Sequence, residues 1–184
     1  MSHAPDLIEP VIGFRDWRIV DGKLASRHLP MLWTEPTAHA ECYPTGGYEF
    51  ASELDPNPHS APGVGCSCGI YAWYQPHGEF SIIDVRGVSG IVTLWGTLQA
   101  YAEGVRAEYA RVEALGVYAR WTRAKKDLVA EIAASLGTDL VDYDRLSEVS
   151  RDYGQPIPSE LLPAQASPAP RRRFRFRLSR GASA

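Results

Sequence analysis

His59-Ser60-Ala61-Pro62-Gly63-Val64-Gly65-Cys66-Ser67-Cys68-Gly69 closes the stretch from Cys42 to Gly69, which holds all three cysteines of the chain. Two of the three are separated by one residue. A Cys66–Cys68 bridge would be strained, and any bridge leaves an odd thiol. Clustered cysteines in a reducing compartment more often bind metal. Zinc favours four thiolate or imidazole ligands in a tetrahedron, so the stretch reads as a zinc knuckle built from Cys42, Cys66, Cys68 and a histidine. His59 is the first choice, with Pro58 and Pro62 stiffening its approach; His39, just before Cys42, is the rival, and His28 and His77 rank below both. Gly69 behind the second cysteine suits a turn that points backbone amides at the sulfurs. Four protein ligands imply a structural ion, whereas three and a water imply a catalytic one.

The surroundings argue for the same staple. Residues 27–65 are rich in Pro and Gly and show little apolar periodicity. A loop of that length without elements of its own is uncommon in a compact domain and needs something to hold it. On its N-terminal side, Gly13–Val20 alternates, with Trp17 and Ile19 on one face, and Asp21-Gly22 is the pair a tight type I′ turn favours. Lys23–Ser26 returns, which makes a hairpin. On the other side, Ile70–Tyr74 reads as a strand, residues 75–79 as a loop and Ile82–Val85 as a short strand. Gly90–Tyr101 alternates, placing Val92, Leu94 and Leu98 on one face and Thr93, Trp95 and Thr97 on the other. Gly96 marks a bend. Residues 105–115 carry helix formers, yet they follow a strand and the Glu103-Gly104 turn; the preferred reading is a strand pairing back on 90–101.

The C-terminal third changes period. Thr122 is an N-cap, Leu128, Ile132 and Leu136 form a stripe, and Gly137 is the stop. Leu140-Val141 is a link. Asp142 or Asp144 starts a second helix with Leu146, Val149 and Tyr153 on one stripe, ending at Gly154. Pro156, Pro158, Pro163, Pro168 and Pro170 make a linker, and six arginines crowd residues 171–180. The predicted organisation is a flexible arm (1–12), a zinc-stabilised α+β domain (13–155) and a Pro-rich linker with a basic Arg/Phe tail (156–184). Its fold is a small twisted antiparallel β-sheet or open barrel with two C-terminal helices.

The net charge of −3 hides an asymmetry: residues 1–168 hold 13 basic and 22 acidic groups, a balance of −9. An acidic body argues against a broad nucleic-acid face on the domain itself. The tail residues Arg171, Arg172, Arg173, Phe174, Arg175, Phe176 and Arg177 are the candidate phosphate-binding and base-stacking group. No apolar run reaches the roughly eighteen residues a membrane span needs. Met1–Asp6 lacks the basic and apolar parts of a signal peptide. A cytoplasmic protein with no membrane contact is the expectation.

Taken together, Gly13-Phe14-Arg15-x-Trp17-Arg18, Cys42, His59-x-Ala61-Pro62, Cys66-x-Cys68-Gly69-x-Tyr71-Ala72, Leu94-Trp95-Gly96 and Arg106–Ala110 resemble a group of small uncharacterised actinobacterial and actinophage proteins. The likeness covers roughly residues 12–155 and leaves out the tail. It implies Cys42, His59, Cys66 and Cys68 as one site and supports the strand reading of 105–115. By analogy it also points to a partner in a bacterial host or in mobile-element regulation; it carries no activity.

These readings predict a non-catalytic binding or adaptor module with a structural Zn2+ site that recognises a protein partner. One alternative is an accessory protein that contacts nucleic acid through its tail and sheet aromatics. A second is a zinc- or cysteine-dependent hydrolase, with Cys66 or Cys68 activated by His59. Gly63-Val64-Gly65 lacks the rest of a phosphate loop and reads as a turn.

Overall fold

The computed structural model describes residues 10–27, 31–42, 59–77 and 86–163. The order of elements is β1 (Val11–Val20), β2 (Lys23–Ser26), β3 (Leu32–Trp33), β4 (Thr37–His39), β5 (Ile70–Trp73), β6 (Gly87–Ala100), β7 (Gly104–Val117), α1 (Arg123–Leu136), β8 (Asp139–Asp142) and α2 (Leu146–Val149). The fold is mixed α+β: the described residues form one sheet of eight strands with two α-helices. No helix among the described residues is long and apolar enough to cross a membrane.

The opening hairpin forms as its turn dictates. Asp21 (φ 48°) and Gly22 (φ 71°) both take the left-handed backbone that a type I′ turn requires. This sets the register Val20↔Lys23, Ile19↔Leu24. Trp17 and Ile19 face inward together and are buried. β1 starts earlier than the alternation suggests. Val11 and Ile12, assigned to the arm by sequence, pair with Leu94 and Thr93 and are buried. The Ile12 amide also donates to Gln155 O at 2.9 Å.

β6 and β7 form the long central hairpin, each strand 14 residues. The helix formers in Arg106–Ala114 lose to pairing, because β7 is hydrogen-bonded along both edges: to β6 on one, and to β5, β4 and β8 on the other. Gly96 (φ 77°) sits in an irregularity between Trp95 and Leu98. The predicted face survives the irregularity: Val92 and Leu94 pair with Val112 and Ala110, Leu98 pairs with buried Ala107, and all of them pack in one apolar cluster.

Two faces of the sheet are covered. Trp17, Leu24, Trp33, Val88, Val92, Leu94, Val112 and Leu115 belong to the larger apolar cluster, which the α1 residues Val129, Ile132, Ala133 and Leu136 join. On the opposite face Phe14, Ile91 and Ala114 meet Leu146 of α2, with Val141, Tyr143 and Tyr153 against them. Full burial of each large apolar side chain contributes about 1.5–3 kcal/mol. α1 has the predicted ends. Thr122 Oγ1 accepts from the Lys125 amide at 3.3 Å, and Gly137 (φ 61°) ends the helix in a Schellman turn, with Thr138 N–H on Ala133 O at 3.0 Å.

Three expectations are revised. Residues 27–65 are not devoid of secondary structure, since β3 and β4 lie there, paired to β2 and β7 and anchored by buried Trp33 and Ala38. Leu140-Val141 is not a bare link: β8 pairs in parallel with β7, so the sheet is not purely antiparallel. The second helix is four α residues flanked by 3₁₀ turns, Tyr143–Arg145 and Ser150–Asp152. Within the expected linker, Ser159–Leu161 forms a further 3₁₀ turn. The predicted strand Ile82–Val85 and most of the arm lie outside the described residues.

One feature of this topology positions the site. β4 and β5 run antiparallel to β7 along the same edge, one after the other: His39 pairs with Tyr109, and Ile70 with Ala107. The Ala40 amide donates to Glu108 O at 2.7 Å. The two short strands behave as one strand interrupted by the excursion 40–69, and both ends of that excursion meet at 107–108 of β7. Arg15 braces the fork between β2 and β5 on the edge of β1, donating to Tyr71 O at 2.5 Å and Ser26 Oγ at 3.0 Å.

Candidate metal centre

The excursion leaves the sheet at Ala40 and returns at Ile70, so Cys42 and the pair Cys66/Cys68 converge at its base. Cys42 Sγ lies 3.7 Å from Cys66 Sγ, and His59 Nε2 lies 3.3 Å from Cys68 Sγ. One ligand atom from each of the four residues falls within 4.8 Å of every other. All three cysteines are free thiols, Cys68 buried and the other two half-buried. With Zn–S bonds of about 2.3 Å, neighbouring sulfurs of a tetrahedron stand about 3.8 Å apart. The Cys42–Cys66 separation matches that edge, so the four side chains fit a tetrahedral metal ion.

Local geometry explains why these residues meet. Gly65 (φ 81°) closes a turn in which the Cys66 amide donates to Gly63 O at 3.3 Å. The Gly63 amide points the other way and donates to Cys68 Sγ at 3.1 Å. A side chain at Gly63 would collide with His59, since a Cβ would stand 2.3 Å from the imidazole Cδ2. Gly69 (φ 121°) lies between Pro62 and Arg106, where a Cβ would come 3.0 Å from Pro62 Cβ.

The sulfurs do not ionise equally. The Cys68 backbone amide, helped by neighbouring side chains, brings the Cys66 thiol down to about 7 against the cost of burial. Burial first, and then the hydrogen bond and charge of Cys66, push Cys42 up to about 12. Close thiolates repel, and a divalent cation among them reverses the effect because coordinated thiols lose their protons.

The rival histidines have other partners. His39 stacks on Tyr109 at 4.5 Å and faces Glu108 Oε1 at 3.8 Å, and His77 stacks on Trp73 at 4.7 Å. Neither belongs to the cluster. Glu108 itself accepts from the Thr97 amide at 3.0 Å, which holds its carboxyl below the ordinary range. His28 and the tail residues Arg171, Arg172, Arg173, Phe174, Arg175, Phe176 and Arg177 lie outside the described residues.

Comparison with protein-family models, curated proteins and solved structures finds no match in any of the three. The centre therefore has to be understood from its own chemistry.

Beneath the knuckle lies a residue that the sequence reading passed over. Arg106 is 4% exposed. Its guanidinium donates to the backbone carbonyls of Cys66 and Cys68, the latter at 3.1 Å, and to Gln99 Oε1 and Tyr101 OH. Gln99 in turn donates to Pro62 O at 3.1 Å, and Tyr71 OH donates to Ser67 O at 3.0 Å. The one available signal was alternation: Val105 and Ala107 turn to one face, which sends Arg106 to the other.

The aromatics divide between the core and the surface. Trp17 is buried edge-on against Trp33, and Trp95 is half-buried, stacked on Tyr109. Tyr71 (49% exposed), Trp73 (37%) and Tyr101 (43%) face solvent beside the knuckle. Alternation puts Tyr71 and Trp73 opposite the buried Ile70 and Ala72.

Proposed function

We propose that the chain is a non-catalytic recognition module. In this reading a structural Zn2+ held by Cys42, His59, Cys66 and Cys68 fixes an aromatic face for a protein partner. Thiolate-rich N/S ligation suits zinc better than oxygen-seeking metals. A set of four protein ligands leaves no coordination position for substrate, which favours a structural ion over a zinc hydrolase, and ligation occupies the thiols that a cysteine hydrolase would need. A reducing compartment such as the cytoplasm keeps those thiols available. The ring of pairings β1–β6–β7–β5, closed through Phe14↔Trp73, is read as a small open barrel carrying the knuckle.

The carrying observation is the exposed trio Tyr71, Trp73 and Tyr101: Tyr71 and Tyr101 are tied to the knuckle by the Tyr71–Ser67 and Arg106–Tyr101 hydrogen bonds, and Trp73 lies two residues along β5 from Tyr71. Exposed Tyr and Trp held in fixed positions are the residue types that anchor protein interfaces. The partner we infer is basic. Residues 59–77 contain no charged residue other than histidine, exposed Glu41 and Glu103 lie next to Cys42 and near Tyr101 in the chain, and residues 1–168 carry a balance of −9. Arginine or lysine side chains of a partner would find aromatic faces and an acidic field together.

The test is a peptide array probed with the zinc-loaded chain, followed by titration of the strongest Lys/Arg-containing peptide into wild type, Trp73→Ala and Tyr101→Ala. Binding weakened at least tenfold in both variants, at unchanged zinc content, is the expected result. Equal binding by the variants, or binding confined to a single-stranded oligonucleotide probe, contradicts the reading.

A further inference from the structure

The guanidinium of Arg106 is buried with a full positive charge, and every group it donates to is neutral: two backbone carbonyls, an amide oxygen and a phenol. Its Nε has no hydrogen-bond partner among the described residues. No carboxylate among the described residues pairs with it; ion pairs formed there include His39 with Glu108, Arg111 with Glu113, Arg123 with Asp127 and Arg145 with Glu148. The faces of Tyr71 and Tyr101, at 5.5 and 5.0 Å, offer only quadrupoles. A buried charge left uncompensated is costly, and buried charges are normally paired or sit beside a metal centre.

The knuckle supplies the missing counter-charge. A divalent ion bound by three thiolates and one neutral imidazole carries one unit of net negative charge. Arg106 donates to the backbone carbonyls of two of the cysteines that would ligate it. We infer that Arg106 is the internal counter-cation of the metal centre, an assignment that rests on the zinc reading of the site. It makes Arg106 a positioning residue: it neutralises the centre, orients the Cys66–Cys68 backbone, and through Tyr71 and Tyr101 connects the ion to the exposed rings. It also accounts for a buried arginine in a strand whose neighbours Val105 and Ala107 are core residues.

The test is a set of charge cycles on the full chain, with zinc affinity measured by chelator competition and folding checked by circular dichroism in excess zinc. Arg106→Met weakens zinc binding about 10- to 100-fold, the range seen when groups supporting metal ligands are lost. Arg106→Lys, which keeps the charge but not the planar fork, loses a smaller factor. Cys42→His makes the centre neutral, and in that background the Arg106→Met penalty shrinks to a few-fold. His59→Cys adds a thiolate, and there the penalty grows. Arg106 would then couple to ligand charge, which hydrogen bonding alone does not do.

A penalty equal in all backgrounds, or Arg106→Lys as weak as Arg106→Met, overturns the counter-cation assignment and leaves the metal site standing. Should Arg106→Met fail to fold even in excess zinc, the same cycles are read with Arg106→Lys and Arg106→Gln, under the same criterion. A wild-type chain that binds no zinc overturns the site and the assignment together.

Discussion

Helix α1 and the Cys/His knuckle are both held at their two ends, by opposite means. In α1 the ends are local: Thr122 caps one, Gly137 the other, and the apolar stripe between them buries Val129, Ile132, Ala133 and Leu136. In the excursion 40–69 the ends are brought together by β7 and closed by side chains far apart in sequence. The lesson lies in where the free energy resides. α1 draws on burial and backbone bonding that removal of a metal ion leaves in place. The described part of the excursion offers few buried apolar residues, chiefly Ala40, Ala61 and Cys68, so in the proposed reading its order depends on ligand chemistry.

The most severe way to break the comparison is to remove the proposed metal. Structural zinc sites contribute on the order of 10 kcal/mol to the order of the segment that binds them. Chelation or Cys68→Ser should abolish hydrogen-exchange protection across 59–77 and at Ala107 and Glu108, while the α1 amides stay protected. Equal loss in both regions would show that they form one cooperative unit.

Ile132→Ala strikes the other side. Ile132 is 2% exposed, and the deletion should cost about 2–5 kcal/mol in denaturant unfolding of the zinc-loaded chain without altering its zinc content. Gly63→Ala sharpens the knuckle side, because the new methyl group falls on the His59 ring. It should cost about 1–3 kcal/mol, read as weakened zinc affinity, with little change in the metal-free stability of α1. The smallest effect is at the cap: Thr122→Ala should lower stability by about 1 kcal/mol and leave zinc affinity as it was. A cap variant that releases zinc would mean that the two regions communicate through β7.

The same contrast explains what could be read in the sequence. The ends of α1 and the Asp21-Gly22 turn are legible because their signals lie within a few residues. Three cysteines in a Gly/Pro-rich stretch are legible because few chemistries tolerate them, and fourth-ligand geometry separates His59 from His39. β3, β4 and β8 escaped notice because two to four residues carry no period, and their partners lie on distant strands. Val92, Leu94 and Leu98 are legible as one face by alternation, although a left-handed Gly96 interrupts the register between Leu94 and Leu98. The exposure of Tyr71 and Trp73 is not legible, because alternation tells which residues share a face, not which face is covered. Arg106 was read as a helix former because its role exists only once the knuckle, Gln99 and Tyr101 surround it.

The central claim is that Cys42, His59, Cys66 and Cys68 together hold one ion that closes the excursion. Zinc K-edge absorption spectroscopy on the chain purified without chelator tests it most directly. The account predicts about one zinc per chain, with three sulfurs at about 2.3 Å and one nitrogen at about 2.0 Å. Absence of zinc, or a shell dominated by oxygen, would contradict it.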